Sequence, residues 1–511
     1  MAVPLWLRAA AVIATLVAML PLFYLIIRLA QFPLPDFLDT VFSARSARLA
    51  LTSLTLTGTV TALCLILGVG LAFLVTRTQL PGRLILGVAA ALPLAIPSYV
   101  AAFGWQSMNA LINPGTSFEG FFAAAIVITS VTYPYIYLPV VAALVSVDPA
   151  QEEAARALGR GPVDTFFSVT VRQTAPAITA GTLLCAIYVI ADFGAVSILR
   201  VDTFTRAVFT SFSMGFDRLG GVALSSVLLV FTLCLLILEG RVRRTGTRYS
   251  TMSGEGRARP ARFSMGRFTL PILALAWAPV LIALAVPLSA LLVWSLRGVS
   301  RPGSLGEIGS ALLNSLWAAG LAALATTAIA IPLALWLARR PSRLARLLER
   351  TAYLAHSLPG VVIGLSVVML GIAVLPALYQ TMWMLTLAYC ALMLPLALGP
   401  VLASALSAPP ELEEAAQSLG SSPGAGYLRV TLPLMLPGIL SGALLVLLTT
   451  IKELPATLML RPTGFDTLAT RLWTYTGGES YAAAAPFAAM LVLVAAVPAW
   501  MMISRLLKEV R

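Results

Sequence analysis

Residues 409–420 read Pro409-Pro410-Glu411-Leu412-Glu413-Glu414-Ala415-Ala416-Gln417-Ser418-Leu419-Gly420, and residues 148–159 read Asp148-Pro149-Ala150-Gln151-Glu152-Glu153-Ala154-Ala155-Arg156-Ala157-Leu158-Gly159. Each spells a short helix. Proline stands at its start, glycine at its end, and acids lie in its first turns, where the helix dipole favours them. Paired alanines leave a small, smooth face. A helix this short is marginal alone and needs a partner to hold it.

The two stretches are copies. Glu153, Ala154, Ala155 and Gly159 return as Glu414, Ala415, Ala416 and Gly420 at one constant offset. The same offset carries Pro176 to Pro437, Gly181 to Gly442, Asp192 to Glu453, Ala195 to Ala456 and Arg200 to Arg461. At slightly longer offsets Leu51, Ser53 and Leu54 match Leu313, Ser315 and Leu316, and Leu92-Pro93 matches Leu358-Pro359. Small insertions therefore separate the matched blocks. Chance likeness between apolar segments does not reproduce charges and glycines in register.

Outside these loops the chain is apolar. Hydrophobic residues make up 59% and charged residues 11%, with a mean hydropathy of +0.93. A soluble fold of 511 residues needs a charged surface that this chain lacks, so lipid must cover it. Runs long enough to cross a bilayer are expected at 9–30, 50–75, 84–108, 121–145, 174–199 and 220–239, and again at 269–296, 311–338, 352–374, 380–405, 434–459 and 483–506. The fold class is therefore an all-α membrane protein of about twelve spans. Six spans per copy give both copies one orientation, a parallel repeat about an axis along the membrane normal, with the pathway between the halves.

The expected organisation is a first half, 1–240, carrying loop 146–172; a linker, 241–268; and a second half, 269–511, carrying loop 407–433. The linker holds Arg241, Arg243, Arg244, Arg248, Arg257, Arg259, Arg262 and Arg267, reads as flexible, and by its charge is cytoplasmic. That anchor puts both termini and both loops inside. About two thirds of the 34 basic residues then fall inside, while the acids divide almost evenly, as the positive-inside rule requires. Arg8 followed by the run from Ala9 to Ile27 reads as an uncleaved first span, with no small-x-small site after it.

Several functions are disfavoured. The formal charge of +13 is spread over short loops between spans, which sets topology and does not mark nucleic-acid binding. Cys64, Cys185, Cys234 and Cys390 lie inside apolar runs, without metal or disulfide spacing, and read as packing residues. His356 is the sole histidine and makes no metal site by itself. Tyr133, Tyr135 and Tyr137 read as packing residues, and Pro93, Pro97, Pro395 and Pro437 as kinks or unwound turns. An intramembrane enzyme needs a buried catalytic group for which these residues offer little. ATP chemistry needs Gly-Lys-Ser/Thr, yet the two lysines are Lys452, after Ile451, and Lys508, after Leu507.

The duplicated loop resembles the Glu-Ala-Ala loop of permeases in binding-protein-dependent ABC importers. In that family Glu-Ala-Ala is followed after three residues by Gly, and after nine more by Ile-x-Leu-Pro. The second copy fits with Val430 for Ile and with Leu432-Pro433 intact; the first ends instead in Val171-Arg172. The resemblance implies the type I ABC importer permease fold. It implies that Glu153, Ala154, Ala155, Gly159, Glu414, Ala415, Ala416 and Gly420 contact two copies of a separate ABC ATPase. ATP and Mg would then sit on that partner, with no cofactor on this chain. A periplasmic substrate-binding protein and the bacterial inner membrane complete the implied setting.

Lys452-Glu453-Leu454-Pro455-Ala456-Thr457 with Leu460-Arg461-Pro462-Thr463-Gly464-Phe465-Asp466 looks like fused iron(III) importer permeases, as do Ala191-Asp192-Phe193-Gly194-Ala195 and Asp202-Thr203-Phe204-Thr205. Fused thiamine and phosphonate permeases are similar, and a secondary transporter is the more distant alternative. Asp192 and Glu453 are the repeat-matched acids of a possible translocation path. They could form a negative constriction for a cation. The competing expectation is local neutralisation, of Asp192 by Arg200 and of Glu453 by Lys452 or Arg461.

Overall fold

A computed structural model describes residues 5–147, 149–213, 218–246, 263–298, 304–356 and 358–508. Arg248, Arg257, Arg259 and Arg262 of the linker lie outside the described residues, as do the side chains of Arg243, Arg244 and His356. The described chain is helical apart from turns and one isolated bridge between Thr78 and Phe263.

Nine described helices are long and apolar enough to cross a membrane: Leu5–Ala30, Ala44–Arg77, Phe121–Ser146, Ser168–Ala191, Gly220–Arg241, Gly266–Gly298, Leu305–Arg339, Met382–Ser407 and Gly424–Ile451. Their outer faces keep side chains such as Ile66, Leu275 and Leu324 about 70% exposed, which suits lipid and not water. The protein is an all-α membrane protein.

Two expected straight spans are broken. The segment expected at 84–108 is the pair Arg83–Ala95 and Ser98–Ile112, bent by 96°, and that expected at 352–374 is Arg343–Ala355 and Gly360–Ala373, bent by 105°. Proline causes both breaks. Pro97 and Pro359 cannot donate to a preceding turn and stand extended just before the second helix of each pair. The runs expected at 174–199 and 434–459 also stop early, at Ala191 and Ile451. Short separate helices, Gly194–Ile198 and Pro455–Leu460, turn off beyond them. The last helix, Tyr481–Lys508, has its described apolar stretch at Tyr481–Ala496.

The linker is more ordered at its ends than expected. The helix starting at Arg218 continues to Gly246, past Arg241. At the other end, Phe263 donates its N–H to the Arg77 carbonyl (2.8 Å) and accepts from the Gln79 N–H (3.1 Å).

Packing divides the chain into two compact units. One comprises Met1–Ser43, Ala207–Leu229 and Arg301–Tyr475; the other comprises Ala44–Arg206, Val230–Ser300 and Thr476–Arg511. In the first, Ser304–Arg339, Met382–Ser407 and Leu432–Ile451 pack on one another, with Leu5–Ala30 against the first two. In the second, Ala44–Arg77, Pro134–Ser146 and Val171–Ala191 form the corresponding trio, and Thr269–Gly298 lies against Ser98–Ile112 and Tyr481–Lys508. The repeat in sequence is thus a repeat in packing. The first span of each sequence half, however, packs in the unit built on the other half's trio. The cut at 241–268 and the packing units are different divisions of the chain.

Candidate functional site: two anchored loop helices

The duplicated loops fold as the short helices Pro149–Ala157 and Pro410–Ser418. Each ends as its glycine demands. Gly159 has φ +87° and Gly420 has φ +89°. Gly159 donates to the Arg156 carbonyl (2.9 Å) and Arg160 to that of Ala155 (3.1 Å); Gly420 donates to Gln417 (3.0 Å) and Ser421 to Ala416 (3.0 Å). This is a paired 6→1 and 5→2 closure that needs a left-handed residue. Nothing lies within 4 Å of where a Cβ would stand at either glycine, so the demand is on the backbone and not on space.

A buried ion pair holds each helix. In the first, Glu152 accepts from Arg77 Nη1 (3.1 Å) and from the Thr170 hydroxyl (2.7 Å), and Arg77 Nη2 donates to the Leu144 carbonyl (3.1 Å). In the second, Glu413 accepts from Arg339 Nε (3.0 Å) and from the Thr431 hydroxyl (2.5 Å), while Arg339 Nη1 donates to the Ala408 carbonyl (2.9 Å). Glu152, Glu413 and Arg77 are 6%, 2% and 1% exposed. Both arginines are the last residues of long helices, Ala44–Arg77 and Ser304–Arg339. Both threonines close a π-helical turn, Phe166–Thr170 and Tyr427–Thr431, that leads into the next long helix. One carboxylate therefore ties each loop helix to two membrane helices at once. Such a pair holds because each charge has a partner and further hydrogen bonds; removing one partner leaves a buried charge.

The anchors sort the motif into faces. Glu153 and Ala154 are exposed and Ala155 is buried; Glu414 and Ala415 are exposed and Ala416 is half-buried. Leu158 and Leu419, just before the glycines, are 84% and 87% exposed. The outward surface of each helix is thus a carboxylate, a small residue and a bare leucine. Sequence reasoning passed over the anchoring acids, the arginines, the threonines and these leucines. The signal was present: all four sets recur between the copies.

Around the first helix the linker adds a cover that the second lacks among the described residues. The Phe263 ring lies 6.1 Å from that of Phe73, and the Arg156 guanidinium stands 5.8 Å from its centroid.

Asp192 and Glu453 lie at the far ends of Val171–Ala191 and Leu432–Ile451 from the loop helices, each in its own unit. Both cap the next short helix. Asp192 Oδ1 accepts from the N–H groups of Ala195 (3.0 Å) and Val196 (3.3 Å), and Ser98 donates to Oδ2. Glu453 accepts from the N–H groups of Ala456 and Thr457 (both 2.9 Å) and from the Thr457 hydroxyl (2.6 Å). Two of the expected basic neutralisers pair elsewhere. Arg200 meets Glu119 (3.3 Å) and Glu479 (3.6 Å), and Arg461 meets Asp466. Partial burial and then the nearby Arg471 hold Arg461 below the usual arginine range. Helix N–H groups reach the acids more directly than long side chains already engaged.

On the same side, Ser53 Oγ accepts from the Phe204 N–H (3.1 Å), where helix Phe204–Ser213 begins. Its repeat partner Ser315 accepts from the Leu468 N–H (2.9 Å), at the start of Leu468–Gly477. The serine match seen in sequence is a pair of helix caps.

Each unit is thus a trio of membrane helices carrying one anchored loop helix, a duplicated arrangement within one membrane protein. Residues 330–504 match the family described as binding-protein-dependent transport system inner membrane components. The chain is 35% identical to an Fe(3+)-transport system permease protein of Haemophilus influenzae, over 98% of each chain. It is 26% identical to a sulfate transport system permease of Salmonella typhimurium, over 43% of this chain and 85% of that one. It is 27% identical to a putative 2-aminoethylphosphonate transport system permease of the same organism, over 41% and 84%. The chain belongs to the family of binding-protein-dependent inner-membrane permeases and is a multi-pass protein of that membrane.

Proposed function

We propose that this chain is the permease subunit of an ATP-driven importer that moves iron(III) from a periplasmic binding protein to the cytoplasm by alternating access. The observation that carries the transport mechanism is the duplicated anchor, Arg77–Glu152–Thr170 and Arg339–Glu413–Thr431. The iron reading rests on the end-to-end likeness to the Fe(3+)-transport permease; the sulfate and phosphonate relatives match less than half of this chain.

Each loop helix offers Glu153-Ala154 with Leu158, or Glu414-Ala415 with Leu419, to one copy of a separate ATPase subunit, on the cytoplasmic side. ATP and Mg stay on that partner. When the two ATPase copies close, the loop helices move with them. Glu152 and Glu413 pass the displacement to the ends of Ala44–Arg77 and Ser304–Arg339, and through the threonines to the helices after the π-turns. Two helices per half are therefore driven by one contact, and the far end of the second, Val171–Ala191 or Leu432–Ile451, meets the Asp192 or Glu453 cap. Chemical energy enters only by differential affinity of the ATPase for the two arrangements.

The test is reconstitution of the chain with a co-expressed ATPase subunit and its binding protein, and measurement of ATP-dependent uptake of radiolabelled ferric iron. Uptake competed by unlabelled iron and not by sulfate or 2-aminoethylphosphonate is expected. Uptake driven by an ion gradient without an ATPase subunit would identify a secondary transporter instead.

A further inference from the structure

One charged surface has no part in this cycle. Helix Arg343–His356 follows directly on the anchor residue Arg339. Ser342 caps it: its hydroxyl accepts from the Ala345 N–H (3.1 Å) and its carbonyl from the Arg346 N–H (3.1 Å). Ala345, Leu348, Ala352 and Ala355 are buried, and the helix packs on Met382–Ser407 and Leu5–Ala30. At 3.6 residues per turn, the opposite side carries Arg343, Arg346 and Arg350, all exposed, with Arg340 just before them. Flanking that basic stripe are Leu344 and Leu347, 47% and 56% exposed. Among the described residues no acidic side chain pairs with any of these four arginines.

Position completes the picture. The contact from Arg339 to Glu413 puts the helix at the end of the unit that carries the second loop helix. The 105° bend at Pro359 lays it across the direction of Gly360–Ala373. A helix lying across a span, with arginines outward and leucines at their side, suits a bilayer surface: acyl chains cover the leucines while phosphates meet the guanidiniums. The matching helix of the other unit, Arg83–Ala91, has a single arginine, and that one donates to the Val75 carbonyl (3.2 Å). Among the described residues this basic stripe belongs to one unit only.

We propose that Arg340, Arg343, Arg346 and Arg350 bind the headgroup phosphates of anionic phospholipid, and that this lipid holds the connector between the Arg339–Glu413 anchor and the span Gly360–Ala373. The helix is the covalent path between the two, so lipid that fixes it steadies the second loop helix from behind. The inference does not depend on which substrate is carried.

The test uses the full chain in two settings. In detergent, phosphatidylglycerol is titrated against phosphatidylcholine and retention is read by native mass spectrometry. In nanodiscs of phosphatidylcholine with or without one third phosphatidylglycerol, ATP hydrolysis by the permease–ATPase complex is measured. Wild type is expected to retain phosphatidylglycerol preferentially and to hydrolyse faster with it present. In the R343Q/R346Q/R350Q variant retention falls by roughly a hundredfold, since each basic residue near an anionic surface contributes about a factor of five. The lysine counterpart R343K/R346K/R350K keeps both behaviours. An unchanged lipid preference in the glutamine variant overturns the proposal. So does loss of the ATPase subunit from that variant in detergent with lipid retention intact, which would assign the stripe to a protein partner.

Discussion

Two adjacent carboxylates stand on each loop helix, and only one is the anchor. Neighbouring residues on an α-helix point about 100° apart, so when one side of a short helix is packed, one acid of a pair turns in and the other out. The doublets Glu152-Glu153 and Glu413-Glu414 were legible in the sequence. Which member turns inward was not, because that depends on an arginine far away in the chain. The structure gives the inner place to Glu152 and Glu413. Replacing Glu413 with alanine would strand the Arg339 guanidinium, at a cost of about 3–5 kcal/mol. The expected result is a lower melting temperature and iron uptake lost while basal ATP hydrolysis persists. The double variant R339M/E413L removes both charges, and apolar replacement of a buried pair is often neutral or stabilising. It should recover the melting temperature without recovering uptake. Recovery of both would show that the pair is structural only.

The glycines belong to the same scale. Because the space around Gly159 and Gly420 is open, a substitution meets only the left-handed backbone penalty, about 1–2 kcal/mol for an ordinary residue. Asparagine tolerates that conformation better than alanine, and alanine better than valine. Uptake per ATP hydrolysed should therefore fall in the order glycine, asparagine, alanine, valine at Gly420, with the protein still in the membrane. An order set by side-chain size alone, with asparagine worse than alanine, would refute the backbone argument.

At the scale of elements, hydropathy showed the spans, and proline showed where two of them break. The size of the bends was not legible. Pro97 and Pro359 forbid a continuous helix but leave the direction of the next one to packing. The early ends at Ala191 and Ile451 were also hidden, since apolar residues resume beyond them and the stop is marked only by the acid cap Asp192 in one copy and by Lys452, the acid cap Glu453 and Pro455 in the other. Those caps bear on function. The carboxylate oxygens of Asp192 and Glu453 already accept from backbone N–H groups and hydroxyls, and a bound cation would have to compete with them. The D192N/E453Q double variant keeps an oxygen acceptor at each cap. It is expected to assemble, to stimulate ATP hydrolysis normally and to import iron at a rate close to wild type. Lost uptake with intact assembly and binding-protein docking would instead establish the two acids as a guide for the cation.

For the whole molecule, the repeat was legible as matched residues. The assignment of the first spans was not. Leu5–Ala30 and Thr269–Gly298 are apolar on every side, so nothing in their pattern tells which trio they will join. Orientation rests on the arginine distribution, and it makes a claim about every loop together. The trios, the anchors and the caps put loop helices at one end of each unit and the acid caps at the other. If the arginine-rich linker faces the cytoplasm, Ser418 is inside and Thr463 outside. Both are exposed, while Cys64, Cys185 and Cys390 are buried and Cys234 lies exposed on the span Gly220–Arg241. In a C234A background, T463C should react with a membrane-impermeant maleimide in spheroplasts. S418C should react only after permeabilisation. Because Ser418 adjoins the proposed docking surface at Leu419, adding the ATPase subunit to permeabilised membranes should then slow labelling of S418C and leave T463C unaffected. Labelling of S418C in intact spheroplasts would invert the topology, and with it the direction of transport. Labelling indifferent to the ATPase would separate the topology, which would stand, from the docking surface, which would not.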